Sequence, residues 1–181
     1  MEENQPVERQ KNWLGERLAR KEDLRLVTGT GKYLGDINIS GMLHATFVNS
    51  EYAHARITSI DTSEALKIPG VVTVYTGENI RDKIKPMPQP VVVPNLPADY
   101  PTFWPLAVDK VKFHGEPVAL VVARDKYAAE DAAELIEVDY EELPVILNPE
   151  TALEESSPLV HEDSKSNEIF GMTFTGGLTA E

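Results

Sequence analysis

The sequence predicts an α+β domain, and three observations within residues 113–140 carry that prediction. First, Val118–Ala123 is a short apolar run rich in β-branched residues, with Gly115 and Pro117 ahead of it. A run that short and that punctuated is a buried strand rather than a helix. Second, Asp125 stands where a helix N-cap belongs, ready to accept from the first free amides. Behind it Ala128, Ala132, Leu135 and Ile136 fall on one helical face, with Glu130, Asp131 and Glu134 opposite. Third, Glu137–Tyr140 alternates, with Val138 and Tyr140 pointing one way and Glu137 and Asp139 the other. Strand, helix and strand form a layered unit able to bury a core. The pattern specifies no chemistry, and on residues alone the reading reaches an acidic, soluble α/β domain.

Composition agrees with one domain, or one domain with tails, in 181 residues. At 41% hydrophobic and 26% charged, the chain can bury a real core. The net charge of −13 argues against nucleic acid, which needs clustered Lys and Arg, and against an anionic membrane surface. The chain has no cysteine, which removes disulfides, thiolate nucleophiles, and cysteine-ligated zinc and iron–sulfur clusters. Met1–Arg20 has no apolar core like that of a signal peptide, and no run approaches the length of a membrane span. A cytoplasmic location is the expectation.

The elements follow in order. Met1–Asn12 is polar and without period, a mobile lead-in. A helical turn is expected near Lys21–Leu26. Thr28-Gly29-Thr30-Gly31 behind it lacks the Lys-Ser/Thr of a phosphate loop, so its glycines read as a turn. Leu43–Val48 alternates Leu43, Ala45 and Phe47 against His44, Thr46 and Val48, a strand with one well-buried face. Arg56–Ile60 is a second strand. Asp61 is placed to cap a short helix over Thr62–Lys67, with Glu64 completing a capping box and Pro69-Gly70 stopping it. Val71–Thr76 is a third strand, and Gly77–Lys83 a turn or short helical piece. Val108–Phe113, Val118–Ala123 and a last strand over residues 137–147 complete the set. Thr151–Glu155 adds a helical turn, Ser156–Asn167 is a polar linker, and Phe170–Leu178 turns apolar again, so the chain looks cut at its end.

Residues 84–105 hold Pro86, Pro88, Pro90, Pro94, Pro97, Pro101 and Pro105, more than half of the chain's 13 prolines. Each removes an amide donor and fixes φ, so no helix or ladder runs through. The segment reads as an extended excursion, either a surface loop or an arm that binds a partner through Tyr100, Phe103 and Trp104.

No constellation marks an active site. His44, His54, His114 and His161 form no i, i+3 or i, i+4 pair, and no G-x-S-x-G exists. Adjacent acids such as Glu130/Asp131 and Glu141/Glu142 diverge in direction and read as solvated faces. Arg56, at a strand start, is either a surface cation or one half of an interdomain salt bridge.

Four stretches, in order over about residues 15–150, carry a resemblance. They are Arg20-Lys21-Glu22-Asp23-Leu24-Arg25-Leu26-Val27-Thr28-Gly29-Thr30-Gly31-Lys32-Tyr33 with Asp36; Gly41-Met42-Leu43-His44-Ala45 on to Tyr52-Ala53-His54-Ala55-Arg56-Ile57, Ile60-Asp61-Thr62 and Pro69-Gly70-Val71; Pro105-Leu106-Ala107 through Val111-Lys112-Phe113-His114-Gly115-Glu116-Pro117-Val118-Ala119; and Ala128-Ala129-Glu130-Asp131-Ala132-Ala133 through Val138-Asp139-Tyr140-Glu141-Glu142-Leu143-Pro144. With these the chain resembles the N-terminal domain, called the α/β hammerhead, of the large molybdenum-cofactor subunit of the xanthine dehydrogenase/aldehyde oxidase/carbon monoxide dehydrogenase family. One departure is Asn49-Ser50-Glu51, where the family commonly shows Arg-Ser-Pro.

The resemblance implies an α/β hammerhead with a mixed sheet, one main helix at about 125–136 and a short helix at about 62–67. It implies a layout of lead-in (1–14), hammerhead domain (15–155, with the excursion at 84–105) and linker with the start of a following, truncated domain (156–181). It implies a parent oxidoreductase that hydroxylates aldehydes or N-heterocycles with oxygen from water, or oxidises carbon monoxide. Electrons would pass from a molybdopterin-type molybdenum cofactor through iron–sulfur clusters to FAD. The cofactor contacts lie in later domains, so this chain has no cofactor and no catalytic residue of its own. Its implied role is structural, packing against the later domains of the same subunit and against the iron–sulfur and flavin subunits. The candidate contacts are Arg20, Asp23, Arg25, His54, Arg56, Tyr100, Phe103, Trp104, His114 and Gly115. The rival readings are a free-standing binding module that uses the proline-rich arm, and a small enzyme with an unfamiliar site.

Overall fold

The computed structural model describes residues 14–15, 19–88, 100–171, 173 and 176. The chain divides into two compact units, Met1–Ser40 and Gly41–Glu181.

The described part of the first unit is held by local hydrogen bonds. Helix α1 (Asp23–Val27) starts where the Asp23 carboxylate accepts the Arg20 amide at 3.0 Å. It ends in the TGTG turn, where Gly29 adopts φ +70° and the amides of Thr30 and Gly31 both reach the Arg25 carbonyl, at 2.9 and 2.8 Å. The glycines therefore close a helix end. A 3₁₀ turn at Leu34–Asp36 follows, capped by the Asp36 carboxylate on the Tyr33 amide. No residue of either turn is buried.

The second unit carries two antiparallel three-stranded sheets. β1 (His44–Asn49) and β3 (Val71–Thr76) flank β5 (Pro117–Ala123) in one; β4 (Lys110–Val111) and β6 (Glu137–Glu142) flank β2 (Ala55–Asp61) in the other. Every recorded strand pairing is antiparallel, so the expected mixed sheet is replaced by two antiparallel ones. The sequence pattern fixes strands and not their partners, and here β5 pairs with strands about 45 and 70 residues behind it rather than with its helix-linked neighbour β6.

The main helix α3 (Lys126–Glu134) forms as the pattern requires. Asp125 has extended backbone and its Oδ1 accepts the Ala128 amide at 2.9 Å, a cap contributing about 1 kcal/mol. The helix buries Ala128, Ala129 and Ala132, while Leu135, expected on that face, is 42% exposed. These alanines meet Ala119, Val121 and Ala123 of β5 and Val74 of β3 in the larger core. Small side chains on both elements let helix and sheet approach closely. The smaller core, Ala55, Ala107, Val111 and Val118, lies among β2, β4 and β5, with Tyr140 packed on it. Val138 touches both cores, as the alternation of β6 requires.

Several boundaries differ from expectation. The predicted helix over Thr62–Lys67 is only a 3₁₀ turn at Ala65–Lys67: Asp61 accepts the Ser63 amide in a local turn and Glu64 pairs with Lys67 instead of closing a capping box. The last strand stops at Glu142, because Pro144 cannot donate to a ladder. Residues 143–148 have no regular structure, and α4 (Pro149–Ala152), capped by Asn148, follows in place of the expected turn at 151–155. Gly77–Ile80 forms α2, capped by Thr76 and Asn79. Residues 89–99 of the proline-rich excursion, and most of the apolar run from Phe170 to Leu178, lie outside the described residues.

Candidate functional site

β2 and β4 set two cations side by side. Arg56 and Lys110 are register partners, an arrangement that repels unless an acid relieves it. Two acids do. Glu141 of β6 is the other register partner of Arg56, with its Oε2 3.9 Å from Nε. Glu162, from the segment after α4, places Oε1 2.8 Å from Lys110 Nζ and 4.0 Å from Arg56 Nη2. The Lys110 side chain is only 6% exposed, whereas Glu162 is 63% exposed. At 2.8 Å, Glu162 is the acid that neutralises this buried ammonium.

His54 stands two residues before Arg56 and is buried. Its Nδ1 lies 2.8 Å from the Pro144 carbonyl. A carbonyl only accepts, so Nδ1 carries the hydrogen, and the buried Nε2 has no hydrogen bond. A cavity of about 390 Å³ opens beside Lys110 and is lined among others by Arg81, Tyr100, Trp104, Lys112 and His161. Arg81 lies 5.9 Å above the Trp104 ring, Phe103 meets His161 edge-on at 5.5 Å, and Tyr100 lies 6.1 Å from Phe170. The Tyr100 hydroxyl is buried without a hydrogen bond.

The strap that carries His161 and Glu162 is anchored by Asn167. Its Oδ1 accepts the Val160 amide at 3.0 Å, and its Nδ2 donates to the carbonyls of Ala152 and Pro158 at 3.1 and 3.0 Å. Residues 152–167, read from sequence as the end of the domain and a linker, are thus tied to themselves and, through Glu162, to β2 and β4.

The structure therefore gathers His54, Arg56, Tyr100, Phe103 and Trp104 around Lys110 and the strap. His114 and Gly115 sit apart, in the turn between β4 and β5. Gly115 has φ +88° and donates to the Ser50 carbonyl at 2.9 Å, while His114 is exposed. Glu116 closes that turn by accepting the Lys112 amide, and burial pushes its carboxyl above the ordinary value against the pull of the Lys112 amide and ammonium. Arg20, Asp23 and Arg25 belong to the first unit. Sequence reasoning missed Lys110, Glu162 and Asn167. A lysine in a strand and an acid in a polar linker carry no local signal of burial or pairing.

Burial, then the charges of Lys112, Lys110 and His54, lower the His161 pKa from its ordinary value of 6.5. The adjacent Lys110 ammonium lowers that of Glu162 from 4.5. In both cases the unfolded segment binds the proton first, so unfolding takes up protons and the strap loses stability as pH falls. Amide exchange of residues 158–167, corrected for its intrinsic pH dependence, is expected to accelerate relative to β5 below about pH 6.5, and again as pH falls below about 4.5. Equal protection at pH 7 and pH 4 would contradict this assignment.

Chemically the site is a joint. It pairs charges and brings rings together edge-on or tilted, and among the described residues it holds no nucleophile bonded to a base. Among the described residues no group of three His, Cys, Asp or Glu side chains is placed to hold a metal ion. With no cysteine in the chain, its donors do not fit an iron–sulfur cluster. Among the described residues no helix is long and apolar enough to cross a membrane.

Comparison with known proteins agrees with this architecture. Residues 28–144 match the family described as aldehyde oxidase and xanthine dehydrogenase, a/b hammerhead domain. The chain is 46% identical over 143 residues to the 6-hydroxypseudooxynicotine dehydrogenase complex subunit gamma of Paenarthrobacter nicotinovorans, covering 78% of this chain and 18% of that one. It is 45% identical over 152 residues to the carbon monoxide dehydrogenase large chain of Afipia carboxidovorans, covering 84% of this chain and 18% of that one. The crystal structure of a Cu,Mo-CO dehydrogenase superposes with a TM-score of 0.70 at 44% identity, over 84% of this chain and 18% of the other. The chain thus spans less than a fifth of the length of these relatives. With the family match, these identities and the two-sheet core in agreement, the chain belongs to the aldehyde oxidase and xanthine dehydrogenase family, of which it carries the hammerhead domain.

Proposed function

We propose that this chain is the hammerhead domain of the large subunit of a molybdenum-dependent oxidoreductase acting on an aldehyde, an N-heterocycle or carbon monoxide. The observation that carries the reading is 45% identity over 84% of the chain to a carbon monoxide dehydrogenase large chain of which it covers only 18%. Its role is structural: residues 15–155 form the domain, residues 156–181 lead toward the next, and the whole packs against the cofactor-binding domains and the iron–sulfur partner. Molybdenum, iron–sulfur and flavin chemistry is supplied from outside this chain, in the cytoplasm. The candidate contacts divide accordingly. His54, Arg56, Tyr100, Phe103 and Trp104 surround the joint that leads into residues 156–181. Arg20, Asp23, Arg25, His114 and Gly115 are offered to other domains or subunits.

The free-standing binding module is the second reading. Against it, the described rings of the excursion are engaged within the chain, with Phe103 on His161 and Trp104 beneath Arg81.

The test is the mass and metal content of the native polypeptide that contains residues 113–140. A polypeptide several times larger than 20.1 kDa, with molybdenum measured by mass spectrometry at about one atom per copy, is the expected result. A molybdenum-free polypeptide of 20.1 kDa overturns the proposal.

A further inference from the structure

The sheet formed by β1, β5 and β3 has two faces, and only one is covered by α3. The register places Ala45 beside Val122 and Phe47 beside Leu120 on one side, and Thr73 and Tyr75 beside the same two residues on the other. All six point away from the alanine face of α3, because Ala119, Val121 and Ala123 alternate with them along β5. None of the six belongs to either hydrophobic core, and Phe47 is 53% exposed.

This orientation runs against the usual rule for an antiparallel sheet with one wet side. Such a strand turns its apolar side inward and its polar side to water. β1 departs from that rule in part: His44 and Thr46 face the helix side together with Val48, opposite Ala123, Val121 and Ala119, while Phe47 faces out. β5 is apolar on both faces, the composition of a strand buried from both sides.

We propose that the face of Ala45, Phe47, Thr73, Tyr75, Leu120 and Val122 is a docking surface for a later segment of the same polypeptide, an apolar one. The occupant rests on the large-subunit reading given above. Two observations select it. The face has no charged side chain although the chain carries a net −13, so nothing on it steers or selects a freely diffusing partner. Neutral, apolar, flat faces characterise permanent interfaces, which resemble a domain core cut in half. The relatives, in turn, have more than four fifths of their length beyond the part this chain matches, and that length can supply a covalently attached cover.

Hydroxyl-radical footprinting of the native protein tests this. Oxidation of Phe47 is measured in the isolated large subunit and normalised to the same peptide in urea. Protection of about tenfold or more, independent of protein concentration and of the other subunits, is the expected result. Protection of only about twofold, as the 53% exposure of Phe47 alone gives, overturns the docking surface. Protection that appears only in the complex assigns the face to a separate subunit, and protection lost on dilution assigns it to a second copy; either result overturns this occupant. A long, molybdenum-loaded polypeptide with Phe47 accessible sinks this inference alone. A native chain of 20.1 kDa sinks both it and the function proposed above.

Discussion

Gly77→Ala is expected to be the most damaging single-methyl addition in this domain. A Cβ at Gly77 would lie 2.0 Å from the Ala107 carbonyl oxygen, 2.6 Å from its carbon and 2.8 Å from Val108 Cα. All three are backbone atoms, so no side-chain rotation relieves the collision. The segment they belong to cannot easily retreat. Leu106 and Ala107 are buried, and the Ala107 amide donates to the Pro117 carbonyl at 2.7 Å, which fixes it to the start of β5. Either α2 or the entry to β5 must move, and both border the cores. The expected loss is about 3 kcal/mol or more. In thermal unfolding that corresponds to a drop on the order of 10 °C. Gly35→Ala, where nothing lies within 4 Å, is the matched control and should leave Tm nearly unchanged. Identical melting curves for Gly77→Ala and Gly35→Ala would show that residues 106–108 are not held against α2.

Ala132→Leu should destabilise nearly as much, for a related reason. Ala132 is fully buried between α3 and the sheet, in a row with Ala128 and Ala129. Leucine and alanine are both good helix formers, so helix propensity changes little. What changes is volume, in a core where Ala119, Ala123 and Ala129 are also fully buried and packing leaves little room. Overpacking of this kind costs about 1–3 kcal/mol, and the upper end is expected here. The midpoint of denaturant unfolding should fall with the m-value unchanged. A midpoint equal to that of the parent protein would mean that α3 stands further from the sheet than described.

The strand–helix–strand unit was legible because three local signals coincide in it: a β-branched run, an Asp cap and a change of period. Asp125 caps in the way its position requires, and Val138 and Tyr140 share a face. Pairing was not legible, because the partners of β5 lie about 45 and 70 residues away and no local pattern encodes them. The outward face of β1 was also hidden, since alternation shows that two faces exist and not which one meets the helix. The short helix expected at 62–67 failed because Asp61 found a nearer partner in Ser63 than the third amide of a helix. At the candidate site, His54 and Arg56 lie in a stretch that carries the resemblance, whereas Tyr100, Phe103 and Trp104 stood out only as large apolar groups in a proline-rich segment. The buried charge that organises them, Lys110, was not legible, because its pairing with Glu162 depends on a strap whose return is set by one asparagine, Asn167.

The central position of β5 has a consequence for synthesis. β1 and β3 do not pair with each other; each waits for the strand that lies between them. A ribosome adds about 5–20 residues per second. Between the end of β3 at Thr76 and the end of β5 at Ala123, the nascent chain therefore spends roughly 2–9 s with two apolar strands whose amide edges are unpaired. The order of elements along the gene thus sets a period in which this domain depends on dilution or on a chaperone to stay unassociated, and it ends only when the middle of the sheet is made.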